Sequence, residues 1–318
     1  RSSHPDCIYT KLLLKVLVQV VVVEELVLWP IKMKRLIVSL TFALCLKPVV
    51  CVAAFEVNQW GAYSAAMGGA FSAHIGATEG SLFNPAVAAS IRVKSFSSTY
   101  VQLFSGVPGG LKQSSGGGVV PTLHGGAIVN YARFGDGAYS EQTLGIGFAR
   151  QFHERVSIGF RLGNEGWEFR NLGRRDWSLD IGGLYEVGWI TEHTFARIGL
   201  VAKGLGSTIK DSGKLTGHRP SRYVVALELR PDQQTFAAEI ETDREYWEVR
   251  LGCETPLIDD LMLRFGGNMF FDDSVNRTAN IGLGYTWNSI RIDYAYSNSY
   301  DVSSFGATHR IGIGLFGS

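Results

Sequence analysis

Cysteine is scarce in this sequence, and its few positions limit how the fold can be held together. Four cysteines occur in 318 residues, and three of them precede Phe55. Cys253 is therefore alone in the rest of the chain, so no intramolecular disulfide can form there. No pair of cysteines has the spacing of a zinc site. The fold after Phe55 must be stabilised by other means.

Long hydrophobic runs and an excess charge of one sign are also missing. After Phe55 no stretch of about 20 apolar residues occurs, which excludes membrane-spanning helices from that part of the chain. Only 19% of residues are charged and the net charge is +1, so no strong attraction to nucleic acid is expected. Glycine is abundant at 38 residues, and aromatic residues make up 12%. Without a collagen period or a low-complexity segment, this composition favours one all-β unit over two soluble domains.

Residues 33–54 have the three parts of a secretory signal peptide. Met33-Lys34-Arg35 is a basic start, an apolar stretch continues to Leu46, and small residues lead up to Ala54. We therefore predict export and cleavage after Ala54. A transmembrane anchor is the alternative, but Lys47 and the proline after it interrupt the apolar segment.

Residues 1–32 contain a second apolar run, which Glu24 and Glu25 break. We interpret this segment as an over-extended reading frame, with Met33 as the true start. A second membrane segment is the alternative.

From about Val93 onwards apolar and polar residues alternate, which places one set on each face of a sheet. The strand around Phe160 is one example, with arginine at 155 and 161 on the opposite face. Thirteen such strands are predicted, at 93–104, 124–134, 143–152, 155–163, 177–189, 195–204, 222–230, 235–242, 246–254, 261–271, 278–287, 290–297 and 308–316.

The strand that contains Trp177 and Trp189 indicates a membrane environment. Its twelve steps of ~3.3 Å give about 40 Å of strand, or roughly 30 Å when tilted by about 40°, close to the apolar band of a membrane barrel. Both tryptophans, and Trp287 on a later strand, lie on the apolar face, where interface anchors belong. The sequence therefore predicts an antiparallel transmembrane β-barrel over residues 93–318.

Strand parity predicts one further strand. Single-chain bacterial barrels have even strand numbers, with short turns on the periplasmic side and longer loops outside. Counting back from the C-terminus, the pattern fails unless a Gly-rich strand at about 111–120 is added, turned by Pro121-Thr122. This gives fourteen strands, with long outer connections at 164–176 and 205–221.

Residues 55–92 differ from the rest, because small residues dominate and alternation is weak. The segment contains Gly61-Ala62, then Met67-Gly68-Gly69-Ala70-Phe71, then Leu82-Phe83-Asn84-Pro85-Ala86. These motifs resemble the FadL-like outer-membrane family, in particular its branch that includes the PorV and PorQ proteins. The chain departs from that family at Val87, where glycine usually follows N-P-A.

The resemblance implies a plug, formed by residues 55–92, inside a fourteen-stranded barrel, and passive transport of hydrophobic small molecules such as long-chain fatty acids. A secretion-associated barrel that docks a protein translocon or cargo is the alternative, as in PorV-like relatives. The candidate plug and ligand residues are Met67, Gly68, Gly69, Phe71, Leu82, Phe83, Asn84, Pro85, Phe96 and Phe104.

Charged residues fall on the face of the strands that would line the lumen. Because unpaired charges in a narrow interior are costly, we expect them to form a network across neighbouring strands, with a charged selectivity ring as the alternative. The predicted members are Arg161, Arg222, Glu228, Arg230, Glu239, Glu241, Glu248, Arg250, Arg264, Arg291 and Asp293.

The sequence gives little support to catalysis or to a cofactor. Gly312 to Gly317 matches G-x-G-x-x-G, but no helix can follow it, so the match marks the last strand. Histidines are scattered without metal-ligand spacing, and no nucleophile motif occurs. We expect no enzyme activity, metal or cofactor. The expected partners are outer-membrane lipid, a hydrophobic ligand, the barrel-assembly machinery through Phe316, and possible secretion-system proteins, with no nucleic acid.

Overall fold

The computed structural model describes residues 60–106, 111–135, 139–169, 172–206, 221–242, 247–271, 277–300 and 305–317. These residues form a closed antiparallel barrel in which each strand pairs with its neighbours in sequence and β1 pairs with β14. The strands are β1 Ser95–Leu103, β2 Leu111–Thr122, β3 Gly125–Gly135, β4 Tyr139–His153, β5 Val156–Phe169, β6 Leu172–Thr191, β7 Thr194–Leu205, β8 Arg222–Pro231, β9 Thr235–Thr242, β10 Trp247–Ile258, β11 Leu261–Phe271, β12 Arg277–Trp287, β13 Ile290–Ser299 and β14 Thr308–Phe316.

The prediction of fourteen strands is confirmed, including the Gly-rich strand that only parity had indicated. In a closed membrane barrel every backbone amide needs a partner on a neighbouring strand. The segment of β2 is therefore a strand because β1 and β3 need its hydrogen bonds, although its own strand propensity is low. The predicted turn at Pro121-Thr122 is wrong by two residues. Both belong to β2, and the turn falls at Leu123-His124.

The predicted long connection at 164–176 is also wrong. Residues 164–169 and 172–176 extend β5 and β6, whose register continues to the pair Phe169 and Leu172. The alternation of apolar and polar residues is lost in these extensions. Beyond the apolar band of a membrane barrel the outer face no longer needs to be apolar, so polar residues are allowed on both faces. Most of the other predicted outer connection, and the whole proposed signal peptide, lie outside the described residues.

The outer face of the barrel is lined with large apolar side chains, as a lipid-facing surface requires. Exposed examples occur on strands all round the ring, among them Tyr100, Val129, Phe160, Val225 and Ile311. The three predicted interface tryptophans are on this face, with 58% of Trp177, 69% of Trp189 and 63% of Trp287 exposed. In water so extended an apolar surface would be unfavourable, so the barrel is a transmembrane one.

Inside the barrel, residues from Trp60 to Ile91 form the plug. It contains the short helices α1 Ala62–Ala66 and α2 Gly80–Phe83, followed by a 3₁₀ helix at Pro85–Ser90. Within the described ranges, no helix combines the length and the apolar character needed to cross a membrane.

Candidate functional site: the plug and the lumen around it

The plug passes once around the inner wall, and the wall is lined with glycine where the plug backbone touches it. A side chain at any of these positions would meet plug atoms, for example Gly68 N at 2.1 Å from a Cβ built on Gly266 and Ser72 O at 2.4 Å from one on Gly199. Eight glycines of the described strands make such contacts: Gly126, Gly159, Gly182, Gly199, Gly252, Gly266, Gly282 and Gly312. The high glycine content thus allows close approach of plug and wall.

The M-G-G motif ends α1 and turns the chain along the wall. Gly69 N donates to Ser64 O at 2.8 Å and Gly68 N donates to Ala65 O at 3.0 Å, which together make a Schellman motif. Gly68 and Gly69 have φ values of 67° and 82°, in the left-handed region that favours glycine. Gly68 also lies against the backbone of Gly267. Turn geometry and close packing therefore both require glycine at position 68.

The N-P-A motif fastens the end of the plug to β6. Asn84 Oδ1 accepts a hydrogen bond from Ala86 N at 3.0 Å, which caps the 3₁₀ helix that Pro85 begins. Asn84 Nδ2 donates to Ser72 O at 2.7 Å and to Gly183 O at 3.0 Å. One buried amide thus joins the start of the 3₁₀ helix to the plug segment at Ser72 and to the wall at Gly183.

An aromatic cluster fills the centre of the plug. The Phe71 ring packs against Tyr63, His74 and Phe83, with centroid distances of 4.9, 4.5 and 5.6 Å. Met67 is fully buried in the same cluster. These side chains form the packed apolar centre of the plug.

All eleven predicted lumen charges take part in ion pairs. Arg250 is central to the largest group, because it contacts Glu239, Glu241 and Glu248 on β9 and β10. Arg222 Nη1 lies 3.0 Å from Glu241 Oε1. Further pairs join Arg161 with Asp180, Arg230 and Arg197 with Glu228, Lys203 with Glu241, Arg264 with Asp293 and Glu254, and Arg291 with Asp293.

Some of these charged groups also bind the plug backbone. Glu239 Oε2 accepts hydrogen bonds from Phe71 N at 3.1 Å and Ser72 N at 2.9 Å. Arg230 donates to Ile75 O at 2.9 Å. Glu228 Oε2 lies 2.6 Å from Nδ1 of His74. The network therefore positions the plug as well as neutralising the interior.

Tyr63 of α1 lies between the wall and two arginines. The Arg264 guanidinium carbon is 3.6 Å from the ring centroid and that of Arg291 is 4.7 Å away. Such cation–π contacts are favoured where water is excluded. Burial raises the pKa of the Tyr63 phenol, with the Glu254 carboxylate acting in the same direction, so the hydroxyl stays protonated and can donate.

Glu79 is a plug carboxyl that sequence reasoning did not single out. It is buried, it accepts a hydrogen bond from Ser64 N at 2.7 Å, and it packs where a side chain on Gly61 would otherwise lie. Burial raises the pKa of Glu79 to about 7, and the nearby Asp293 raises it too, while Arg291 lowers it.

A cavity lies on the loop side of the plug, where the longer connections between strands occur. One side is apolar and comes from the plug, namely Trp60, Leu82 and Phe83. The free volume of the cavity is about 40 Å³ when measured with a water-sized sphere. The barrel side is mostly polar and consists of Asn130, Ala132, Thr143, Arg161, Glu165, Asp180, Lys203, Gly204 and Arg222. The cavity is amphipathic, with a small apolar floor below charged walls.

The structure does not bring two of the predicted ligand residues into this region. Phe96 is on the outer face of β1, 46% exposed, because its neighbours Ser95 and Ser97 take the inward positions. Phe104 follows β1 at the loop end and packs against Phe305, with ring centroids 6.1 Å apart. The expected grouping of these two rings with the plug is therefore wrong.

Other interior residues were missed although the alternation pattern contained them. Asp180, Arg197, Glu254 and Arg310 occupy inward positions on strands that were correctly predicted. The two-residue period of a strand is enough to place these four residues on the inward face. His74 and Glu79 gave no such signal, because the plug has no regular alternation.

No cluster of three or more His, Cys, Asp or Glu side chains suited to a metal ion occurs among the residues that the structure describes. The acidic groups near one another in the lumen are instead paired with arginine or lysine.

These features define the chain as a plugged, fourteen-stranded transmembrane β-barrel. The fold is similar to that of the Pseudomonas putida toluene transporter TodX, with a TM-score of 0.57 and 12% identity over 83% of this chain and 99% of that one. It is also similar to a Pseudomonas aeruginosa FadL homologue, with a TM-score of 0.52 and 12% identity over 85% of this chain and 99% of that one. No protein-family model and no curated protein matches the sequence.

Proposed function

We propose that this chain is a bacterial outer-membrane channel for the passive transport of hydrophobic small molecules. The observation that carries the proposal is the cavity on the plug, where Trp60, Leu82 and Phe83 offer an apolar floor inside a transmembrane barrel. Burial of apolar surface at such a floor would favour a hydrophobic solute over a sugar or an ion.

The substrate class follows from the lining of that cavity. Aromatic hydrocarbons and the chains of fatty acids both have apolar surface to bury against Leu82 and Phe83. The resemblance of the plug motifs to FadL-like proteins and the fold shared with a protein described as a toluene transporter support this class. The polar walls around Arg161 and Lys203 favour solutes with one polar end.

Uptake into cells tests the proposal. Cells that lack their own hydrophobic-compound channels, with and without this protein, would be given labelled toluene, oleate and, as a polar reference, glucose. We expect several-fold faster uptake of toluene or oleate and no change for glucose. Uptake equal to that of empty cells, or a gain that does not distinguish toluene from glucose, would contradict the proposal.

A matched pair of substitutions links uptake to the cavity. Leu82→Asn places an amide on the apolar floor, where an unpaired polar group disfavours an apolar solute. Leu123→Asn makes the same change in a turn residue that is 99% exposed. We expect the first to remove most of the gain in uptake and the second to keep it. Separation of the two membranes of the same cells would check the proposed outer-membrane location.

A second candidate function is docking of a secretion partner, in the manner of PorV-like barrels. The observation in its favour is that charged wall residues such as Glu239 hold the plug backbone in the lumen. A barrel that serves as a scaffold has no need of an open path. Purification in mild detergent distinguishes the two: a defined partner in a stoichiometric complex supports docking, and an isolated barrel with bound lipid or hydrocarbon supports transport.

A further inference from the structure

Exposed basic side chains lie on the outer face of the barrel near the loop ends of three strands. They are Lys112 on β2, Arg133 on β3 and Arg175 on β6. Arg133 faces outwards because it has the same parity as the exposed Tyr131. Lys112 faces outwards because the next residue, Gln113, is buried on the inward face. The lipid-facing surface thus carries positive charge where these strands reach the loop side.

Arg175 has partial compensation from its neighbours. It donates to Asn164 Oδ1 at 3.5 Å, which is long for a hydrogen bond. Glu168, an exposed acid of β5, is opposite Gly173 and therefore one diagonal step from Arg175. Arg175 consequently adds to the positive charge of the surface but does not carry the inference.

Lys112 and Arg133 have uncharged neighbours and are close to each other. Arg133 is opposite Ser114 on one side and Gln142 on the other, and Lys112 is opposite Gln102 on β1. Since Lys112 is two residues before Ser114, it is a diagonal neighbour of Arg133, at a separation of about 7–8 Å. Neither forms an ion pair with an acid in the described part of the chain. Two long basic side chains can therefore reach one group between them.

Aromatic residues show where this pair lies relative to the membrane. Tyr131 is the outward residue before Arg133, and Tyr100 of β1 is opposite Ser114, the outward residue next to Lys112. Both tyrosines are exposed on the lipid-facing side, as is typical of the boundary between the apolar band and the lipid headgroups. One outward step further is two residues, ~6.6 Å along a strand, so the pair lies among the headgroups.

The side of the membrane and the charge of the pair select the lipid. Short turns of bacterial barrels face the periplasm, so the loop side lies in the outer leaflet. Adjacent like charges repel each other, and a doubly charged anion relieves this repulsion. A phosphate monoester carries about −1.5 to −2 charges at pH 7, whereas the phosphate diester of a phospholipid carries only one. Arginine binds phosphate oxygens in a bidentate manner and lysine binds them as a point charge.

We propose that Lys112 and Arg133 bind a phosphate monoester of a glycolipid in the outer leaflet, a lipid with the chemistry of lipid A. The acyl chains of this lipid lie on the apolar outer face below Tyr131 and Tyr100. The proposal rests on the transmembrane barrel and not on transport of a solute. Lipid binding is measured on the purified protein without any solute, so the two proposals can fail separately.

Native mass spectrometry of the whole protein in a neutral detergent tests the surface. Three lipids would be titrated: lipid A, lipid A from which the phosphates have been removed, and phosphatidylglycerol. We expect lipid A to bind several-fold more tightly than either of the others. Equal binding of the dephosphorylated lipid would overturn the proposal, because acyl chains alone would then explain the contact. Equal binding of phosphatidylglycerol would also overturn it, since any anionic lipid would then suffice.

Substitutions link the binding to the two side chains. Lys112→Gln and Arg133→Gln should each weaken lipid A binding about fivefold, and the double variant roughly 30-fold, from the usual contribution of one basic residue at an anionic membrane surface. Arg133→Lys, which keeps the charge, should retain most of the affinity. Arg150→Gln is the matched control, because Arg150 is an exposed outer-face arginine at the turn end of β4, 5.7 Å from the Phe152 ring. An unchanged affinity in the double variant, or an equal loss in Arg150→Gln, would overturn the proposal.

Salt dependence and thermal unfolding distinguish a binding role from a structural one. Salt screens exposed charges, so lipid A binding to the native protein should weaken between about 0.05 and 0.5 M NaCl, and binding to the double variant should change less. Because Lys112 and Arg133 are exposed and have no acidic partner among the described residues, the lipid-free melting temperature should be the same in the native protein and the double variant. The same salt dependence in both proteins would overturn the proposal. A lower lipid-free melting temperature with unchanged affinity would show a structural role instead.

Discussion

Glycines of the wall determine how closely the plug can approach. A single methyl group at these positions would clash with the plug. At Gly266 the nearest plug atoms to a built Cβ are backbone atoms of Met67 and Gly68, at 2.4 and 2.1 Å. Backbone atoms cannot rotate away as the end of a side chain can. The contact is therefore intolerant of any residue larger than glycine.

We predict that Gly266→Ala destabilises the seated plug by about 1–3 kcal/mol, the usual cost of overpacking. Gly183→Ala is the matched control, since the nearest atom to its Cβ is Leu200 O at 4.0 Å. Thermal unfolding and protease cleavage within residues 60–91 would be measured on both. Equal melting temperatures and equal cleavage in the two variants would contradict the close contact.

The sequence predicted the face of the strand on which a residue lies better than it predicted the residues that it contacts. Alternation placed Arg250 and Glu241 inside correctly, because inward and outward positions follow from the two-residue period of a strand. It could not show that Arg250 contacts three carboxylates, since that depends on the register between strands. Phe96 and Phe104 were misplaced because aromatic rings were grouped by chemical type and not by the face of the strand.

Among the structural elements, those of the plug were the least predictable from the sequence. Its motifs were identified by resemblance, but α1, α2 and the 3₁₀ helix are too short to give a periodic signal. Their geometry is fixed by contacts distant in sequence, such as Asn84 with Gly183 and Glu79 with Ser64. The strands, in contrast, were largely predictable, apart from the polar ends of β5 and β6.

The buried carboxyl of Glu79 makes the seating of the plug depend on pH. Its folded-state pKa of about 7 is above the ordinary value of 4.5, so the folded protein binds this proton more tightly than the unfolded chain does. The stabilisation is complete below about pH 4.5 and is lost as pH rises through 7. The expected loss is up to about 3 kcal/mol, from 1.36 kcal/mol per unit of pKa.

Glu79→Gln tests this dependence. Glutamine keeps an oxygen that can accept from Ser64 N, but it does not ionise. We expect the melting temperature of the native protein to fall relative to that of the variant as pH rises from about 5 to 8. Parallel curves for the two proteins over this range would show that Glu79 does not control the seating of the plug.

For the whole molecule, the question is whether a solute passes with the plug in place. The plug contacts the wall from β3 round to β14, and the Phe71 cluster fills its centre. The packed Phe71 cluster and the close contact of the plug with the wall therefore lie in the way of a hydrocarbon that crosses the barrel. We therefore expect passage to require movement of α1 away from the wall.

A disulfide across that contact tests the expectation. A Cβ built on Gly312 lies 3.2 Å from Ala62 Cβ, slightly closer than the usual separation of about 3.5–4.5 Å in a disulfide, so a small shift allows the bond. The double variant Ala62→Cys, Gly312→Cys, with Cys253→Ser, should lose hydrocarbon uptake when oxidised and recover it on reduction. Ala62→Cys with Cys253→Ser alone should respond to neither treatment. If the oxidised double variant transports as fast as the reduced one, the solute passes a stationary plug, and movement of α1 is not needed.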